Sequence, residues 1–301
     1  MEIAELVGML TPGTPIAKSP ALHRELRIKT IHSSLLIEGN RLDERAVTAI
    51  IDGKRVLGDT NDIMEVENAK RAYDLIPELD PCSLEDLLRV HGVMMENLVP
   101  EAGRFRSGNV GVFDGDNLIH AGTPAAYAPE VMADMFSWLK TTTMHPLLAS
   151  CIFYFEFEFC HPFSDGNGRV GRLWHILILS RWRPVLVWLP IENTIRQRQD
   201  GYYKALAISG ATGSSEAFVE FMLETIRESI LPFAKPVGKR DLMKAKVLKF
   251  FKANPSGNID QLIAHLCCSK RTAERLVAEL KNDGSLLREG SARAGKWIVA
   301  E

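Results

Sequence analysis

A mainly α-helical chain, with one small β-hairpin and a separate C-terminal module, is predicted by three features. Residues 147–160 and 173–179 are apolar around almost their whole circumference, the pattern of buried helices. The best hairpin pattern, at 110–120, stands alone in helical surroundings. From residue 240 onward the charge balance changes sign. Twelve Lys and Arg against seven Asp and Glu give that segment +5, leaving −7 for the rest.

At 301 residues the chain is long enough for two or three domains with ample core. Apolar residues at 46% and charged residues at 25% are those of a soluble globular protein. No run of about 18 uncharged apolar residues appears, so no membrane span is expected. Glu2 and Glu5 near the N-terminus, with no basic start, argue against a secretion signal. The cysteines (Cys82, Cys151, Cys160, Cys267 and Cys268) are odd in number and lack zinc-ligand spacing, which suits a reducing cytoplasm.

Taken in order, residues 11–20 read as a loop with three prolines. Ser19 is a candidate N-cap with Pro20 at the first helical position. Leu22, Leu26 and Leu35 recur at helical spacing, and Gly39-Asn40 supplies a C-terminal stop. Glu38 is out of place there, because a carboxylate at a helix C-terminus faces the negative end of the dipole. Residues 41–100 read as helices broken by Gly53, Gly58 and Pro77 to Pro81, with Ser83 capping the helix that holds His91. We read His91 as a satisfied helix histidine. Asp114-Gly115-Asp116-Asn117 then forms the turn of the hairpin. Such an isolated edge can pair with an extended peptide or be a plain connection.

The densest chemistry lies between the two apolar stretches: His161-Pro162-Phe163-Ser164-Asp165-Gly166-Asn167-Gly168-Arg169-Val170-Gly171-Arg172. Polar groups are costly beside a core unless something binds them. Gly166 and Gly168 allow successive backbone N–H groups to point inward as an anion nest. A helix beginning near Arg169 adds unpaired amides and a positive dipole end, both favourable to phosphate. Arg169 and Arg172 share a helical face and can fork onto phosphate oxygens. Asp165 lies where Mg²⁺ bridging phosphates needs an oxygen ligand. His161 is suited to taking a proton from a hydroxyl. Gly-Asn-Gly by itself is a common helix–helix turn, so the specificity lies in the joint pattern.

Beyond it, Trp182, Trp188 and Pro184 to Pro190 mark a bend, followed by a helix through 193–198 that continues near Tyr202-Tyr203. A helix over 215–228 closes the domain, and 231–238 is the expected linker. The basic segment reads as three helices, 242–252, 258–266 and a third capped by Ser269, with two short strands near 286–289 and 296–299. That order is a winged helix-turn-helix, with Lys270, Arg271 and Arg275 toward a DNA groove and Arg293 and Lys296 on the wing. A solvated basic face on a protein-interaction module accounts for the same residues equally well.

The twelve residues 161–172 resemble, without departure, the signature of the Fic-domain family, His-Pro-Phe-x-Asp/Glu-Gly-Asn-Gly-Arg-x-x-Arg. The resemblance implies transfer of AMP from ATP to a Ser, Thr or Tyr hydroxyl of a target protein. His161 would be the general base and Asp165 would hold Mg²⁺. The amides of Gly166 to Gly168, with Asn167 and Arg169, would cradle the α- and β-phosphates, and Arg172 would hold the γ-phosphate. Ser34-Leu35-Leu36-Ile37-Glu38-Gly39 resembles the family's inhibitory motif in the class where that helix precedes the catalytic core. Gly103-Arg104-Phe105-Arg106 resembles an element ahead of the family hairpin whose arginine is structural. The hairpin itself, through Val112, Phe113, Leu118 and Ile119, resembles the flap that clamps the target. Tyr202 or Tyr203 would stack on adenine, although aromatics at this spacing are more often core.

The resulting organisation is an N-terminal helical region at 1–80, a Fic core at 81–231, a linker at 232–240 and a winged helix at 241–301. A DNA-binding regulator that merely senses nucleotide is the competing class, and the intact His161 favours the enzyme. AMP removal, another donor, and pairing of two copies stay open.

Overall fold

The computed structural model describes residues 2–10, 14–114, 117–234, 239–266, 268–289 and 295–299. Cys267, Arg293, the hairpin turn at Gly115-Asp116 and linker residues 235–238 lie outside them. The chain divides into two compact units, one of residues 1–10 with 15–233 and one of 11–14 with 234–301.

The first unit opens with α1 (Glu2–Met9), α2 (Pro15–Lys18) and α3 (Pro20–Ile37). Helix α2 is a single turn where a loop was expected, started by Pro15 at its first position. Ser19 Oγ accepts from Leu22 N at 3.2 Å at the start of α3. The far end closes as the glycine stop requires. Gly39 takes φ +90°, Gly39 N donates to Leu36 O at 3.2 Å, and Asn40 N donates to Leu35 O at 3.1 Å. Helices α4 (Glu44–Ile51) and α5 (Thr60–Asp74) follow, capped by Asp43 and Asp59, then α6 (Leu84–Met94), capped by Ser83.

Strands β1 (Gly111–Asp114) and β2 (Asn117–Ala121) pair antiparallel, with a register shift between Val112 and Phe113. Helix α7 (Ala128–Thr141) leads to α8 (Pro146–Cys160) and α9 (Asn167–Trp182), the two apolar helices flanking the signature. The expected single helix after them is two, α10 (Ile191–Gln197) and α11 (Gln199–Thr212). The chain breaks at Arg198, whose guanidinium reaches Glu224 at 2.9 Å and Glu228 at 3.2 Å on α12 (Glu216–Ile230).

Helices α8 and α9 are buried as their composition demands. Trp174, Phe157 and Leu173 have no exposed surface, and Phe153 retains 1%. The Trp174 indole donates to Pro81 O at 3.1 Å, so its one polar atom is satisfied. The two helices approach closely at Gly171, where a Cβ would lie 2.8 Å from Tyr154 Cε2 and 3.0 Å from Phe157 Cδ1. This approach keeps the ends of α8 and α9 together around the loop between them.

The second unit contains α13 (Lys239–Ala253), α14 (Ile259–Leu266), α15 (Lys270–Asn282), β3 (Leu286–Glu289) and β4 (Lys296–Val299). Ser269 caps α15 by accepting from Thr272 N at 3.2 Å. The strands pair antiparallel, Leu286 opposite Val299. Val247, Phe251, Leu262, Leu276, Leu286 and Trp297 form its own core. Trp297 Nε1 donates to Gly257 O at 3.1 Å.

Gly171→Ala places a methyl group against two packed rings, and overpacking of this kind costs roughly 1–3 kcal/mol. Urea unfolding of the first unit should show that loss. Unchanged stability would mean that α8 and α9 separate without penalty.

Candidate functional site

The signature forms the joint between α8 and α9, and its backbone is held by side chains that arrive from elsewhere. His161 caps α8 in the left-handed region at φ +51°, uncommon for a residue with a Cβ. The guanidinium of Arg106, 3% exposed, holds it there. Nε donates to His161 O at 2.7 Å, NH1 to Gly108 O at 2.8 Å, and NH2 to Cys160 O at 3.4 Å and to Thr123 O. Arg106 N also donates to Pro162 O at 3.1 Å. This guanidinium joins the end of α8 to the segments before and after the hairpin. His161 Nδ1 lies 3.3 Å from Glu158 O. Donation by Nδ1 makes Nε2 the basic nitrogen.

Asn167 does not offer its side chain to a ligand. It is 2% exposed, its Oδ1 accepts from Phe163 N at 2.9 Å, and its Nδ2 donates to Phe163 O at 2.9 Å. The side chain is a clasp that closes the loop, and what Asn167 offers an anion is its backbone N–H. What remains for an anion is backbone. Helix α9 begins at Asn167 after Gly166 at φ +82°. The amides of Asn167, Gly168 and Arg169 consequently have no intrahelical acceptor. Gly166 needs its missing Cβ twice over, since one would lie 2.5 Å from Met95 Sδ.

His91 is the residue whose importance local reasoning underrated. It is satisfied, as expected, but by the site itself. Gly103 N donates to Nδ1 at 2.9 Å, which leaves Nε2 protonated to donate to Asp165 O at 3.0 Å. Its ring stacks on Phe163 with centroids 3.7 Å apart. Burial lowers its pKa to about 4, so the neutral tautomer persists through the physiological range.

The arginines and carboxylates complete the site. Arg172 is buried at the bottom. Nε donates to Ser34 Oγ at 3.0 Å, and NH2 donates to Ser34 O at 3.0 Å and to Glu38 Oε1 at 2.7 Å. Glu38 is the C-cap of α3, yet its carboxylate lies against the first turn of α9, where a Cβ on Gly168 would overlap Oε1. A charge that is wrong for its own helix is right for the N-terminus of another. Arg169, 3% exposed, donates to Glu65 Oε1 at 2.7 Å and to Asp165 Oδ1 at 2.8 Å. Neither guanidinium is open to a phosphate in this arrangement. NH1 of Arg172 and Nε of Arg169 are buried without a hydrogen-bond partner. Glu158, one turn before His161, is pushed up to about 8 by burial, against the pull of Arg172.

Asp165 is more than half exposed and also accepts from Gly166 N at 2.5 Å. No group of three or more His, Cys, Asp or Glu that could hold a metal occurs among the described residues. Tyr202 is a correction: it is 2% exposed, its hydroxyl lies 2.7 Å from that of Tyr154, and Phe218 packs on it, so it cannot stack on a base. Tyr203 is 49% exposed and accepts from Gln199 Nε2 at 3.2 Å. The backbone of Val112, Phe113, Leu118 and Ile119 forms the expected hairpin, and their side chains are outside the described set.

His91→Phe keeps the ring stack and strands two partly buried polar groups, Gly103 N and Asp165 O. The expected loss is about 1–3 kcal/mol at pH 7. His91 is neutral when folded and takes up a proton in the unfolded chain below about pH 6.5. Its presence therefore makes stability fall as pH drops toward 4, by up to about 1.4 kcal/mol per pH unit. Chemical denaturation at pH 5 and 7 should give a shallower pH dependence in the variant.

Comparison with known proteins agrees with this geometry. A family model described as the Fic/DOC family matches residues 81–179. The solved structure of a Fic family protein from Desulfovibrio desulfuricans G20 superposes with a TM-score of 0.74 at 39% identity, covering 99% of this chain and 94% of that one. The protein adenylyltransferase fic-1 of Caenorhabditis briggsae is 30% identical over 229 residues, 70% of this chain and 43% of that protein. A solved fragment of Fic-1 from C. elegans gives a TM-score of 0.63 at 25% identity, over 77% of this chain and 70% of that fragment. The chain thus spans less than half the length of the first curated relatives it matches. With its signature loop, two flanking buried helices and near full-length structural likeness, the chain belongs to the Fic/DOC family.

Proposed function

We propose that the first unit transfers AMP from ATP to a hydroxyl of a target protein, and to its own chain, and that Glu38 restrains it. The observation that carries this reading is the 2.7 Å pair of Glu38 Oε1 with Arg172 NH2 in the mouth of α9. A carboxylate there stands where helix amides, a positive dipole end and a buried arginine favour a phosphate. The Caenorhabditis relatives, which are protein adenylyltransferases, support the chemistry.

In the proposed reaction the hydroxyl oxygen attacks the α-phosphorus and its proton passes to Nε2 of His161. The bond from the α-phosphorus to the bridging oxygen breaks, and pyrophosphate leaves. The amides at the start of α9 and the two arginines would balance the charge spread over the phosphates. Asp165 fits Mg²⁺ as a single exposed carboxylate, because that ion takes most of its ligands from phosphates and water. It would neutralise phosphate charge. With Glu38 on Arg172 the γ-phosphate has no cationic ligand there, and ATP would lie out of line for attack.

Labelled ATP with Mg²⁺ tests the reading on the wild type, Glu38→Gly, and Glu38→Gly combined with His161→Ala or Asp165→Ala. Glu38→Gly should raise transfer, self-modification included, by roughly 10²-fold, the scale set by small misplacements of reacting groups. Either second substitution should remove most of the gain, and Arg172→Ala should not reproduce it. No transfer from Glu38→Gly to any protein, itself included, would sink the proposal.

For the second unit we propose a winged helix-turn-helix that binds DNA, because Lys270, Arg271 and Arg275 stand exposed along one stretch of α15. Affinity for duplex DNA should fall steeply with salt and drop further with Lys270→Ala and Arg271→Ala. A flat salt response would point to a protein partner instead.

A further inference from the structure

The end of α3 is fastened by a carboxylate that belongs to neither the signature nor the inhibitory motif. Glu65, on α5, divides its two oxygens. Oε1 accepts from Arg169 NH1 at 2.7 Å, and Oε2 accepts from Asn40 Nδ2 at 2.7 Å. Asn40 is 5% exposed and follows Glu38 by two residues. Its backbone N–H closes α3 on Leu35 O at 3.1 Å. Its side chain also donates to Asp62 O at 3.0 Å and accepts from Leu42 N at 3.1 Å. Every polar atom of Asn40 that fixes the exit from α3 is therefore engaged, two of those bonds going to α5 residues.

We propose that Glu65 is a positioning residue: it ties the first signature arginine to the end of α3 through Asn40, and so holds Glu38 against Arg172. The inference rests on the reading that Glu38 restrains transfer. The pair Glu38–Arg172 by itself leaves the carboxylate at the tip of a helix end, with a side chain 27% exposed. A helix terminus held only by its own backbone bonds frays readily. The Asn40–Glu65 bond is charge-assisted and mostly sheltered, since the Glu65 side chain is 19% exposed. It removes that freedom. The same carboxylate is one of two that engage Arg169, so the position of α3 and the state of both arginines are physically connected.

Asn40→Asp isolates the contact. The substitution keeps the acceptor for Leu42 N and nearly the same shape, but sets a carboxylate against Glu65 and against Asp62 O. Loss of a hydrogen bond to a charged group corresponds to about tenfold or more in an equilibrium. Amide exchange at residues 36–42, measured without nucleotide, should therefore accelerate about tenfold, with α8 unchanged. Self-modification should rise by a similar factor in the wild-type background and by nothing further in Glu38→Gly. Adding Glu65→Gln should restore protection and restraint, because the introduced amide can donate to the introduced carboxylate while its oxygen still accepts from Arg169.

Unaltered exchange at residues 36–42 would overturn the proposal. So would faster exchange with no rise in transfer while Glu38→Gly is active, or a failure of Glu65→Gln to rescue. If Glu38→Gly is itself inactive, the transferase reading fails, and the exchange and rescue measurements still decide whether Glu65 holds the end of α3.

Discussion

The Arg172 guanidinium is the constraint on which the rest of this site depends. It is 2% exposed beneath the first turn of α9, and a cation so deeply placed requires an anion and hydrogen-bond acceptors nearby. Burial opposes its charge, and the Glu38 carboxylate beside it outweighs that opposition. Ser34 and Glu38 supply the acceptors from one helix face, four residues apart. The rest of the arrangement follows. Helix α3 must lie with its C-terminus over α9, Gly168 must lack a side chain so that the carboxylate can reach, and the polar loop must begin beside a buried charge. A phosphate brought to the same place would meet the same requirement, so under the proposed function Glu38 and the γ-phosphate would exclude one another there.

Around that charge the loop is held by groups that relieve its backbone. Arg106 takes the carbonyls at the end of α8, Asn167 takes both polar groups of Phe163, and His91 takes the carbonyl of Asp165. Each satisfies a buried or partly buried polar atom that would otherwise destabilise the joint. Together they leave the amides at the start of α9 as the loop's unspent donors. These amides lie beside Arg172 NH1 and Arg169 Nε, which are also buried without a partner, and the loop around them is held by residues that pair with its backbone.

Much of this was legible along the chain. The buried helices, the caps at Ser19, Ser83 and Ser269, the hairpin and the order of the C-terminal elements follow from periodicity and turn chemistry, which act within a few residues. The glycines, acids and arginines of 161–172 read as a candidate anion site because their residue types are so costly beside a core. Local rules also raised the right question about Glu38, whose charge does not suit its helix.

What local rules could not reach was the assignment of partners. Asn167 and Tyr202 look like ligand-facing groups until the fold buries them on Phe163 and Tyr154. His91 looks like an ordinary helix histidine until the chain brings Asp165, 74 residues away, onto its ring nitrogen. Glu65 carries no local mark at all, and its two contacts lie 25 and 104 residues distant. The sequence determined which segments are helical, which are polar where burial forbids it, and which charge is misplaced. Only the tertiary structure decided which donor meets which acceptor, because hydrogen bonds are settled by distances of a few tenths of an ångström, and sequence separation does not encode those distances.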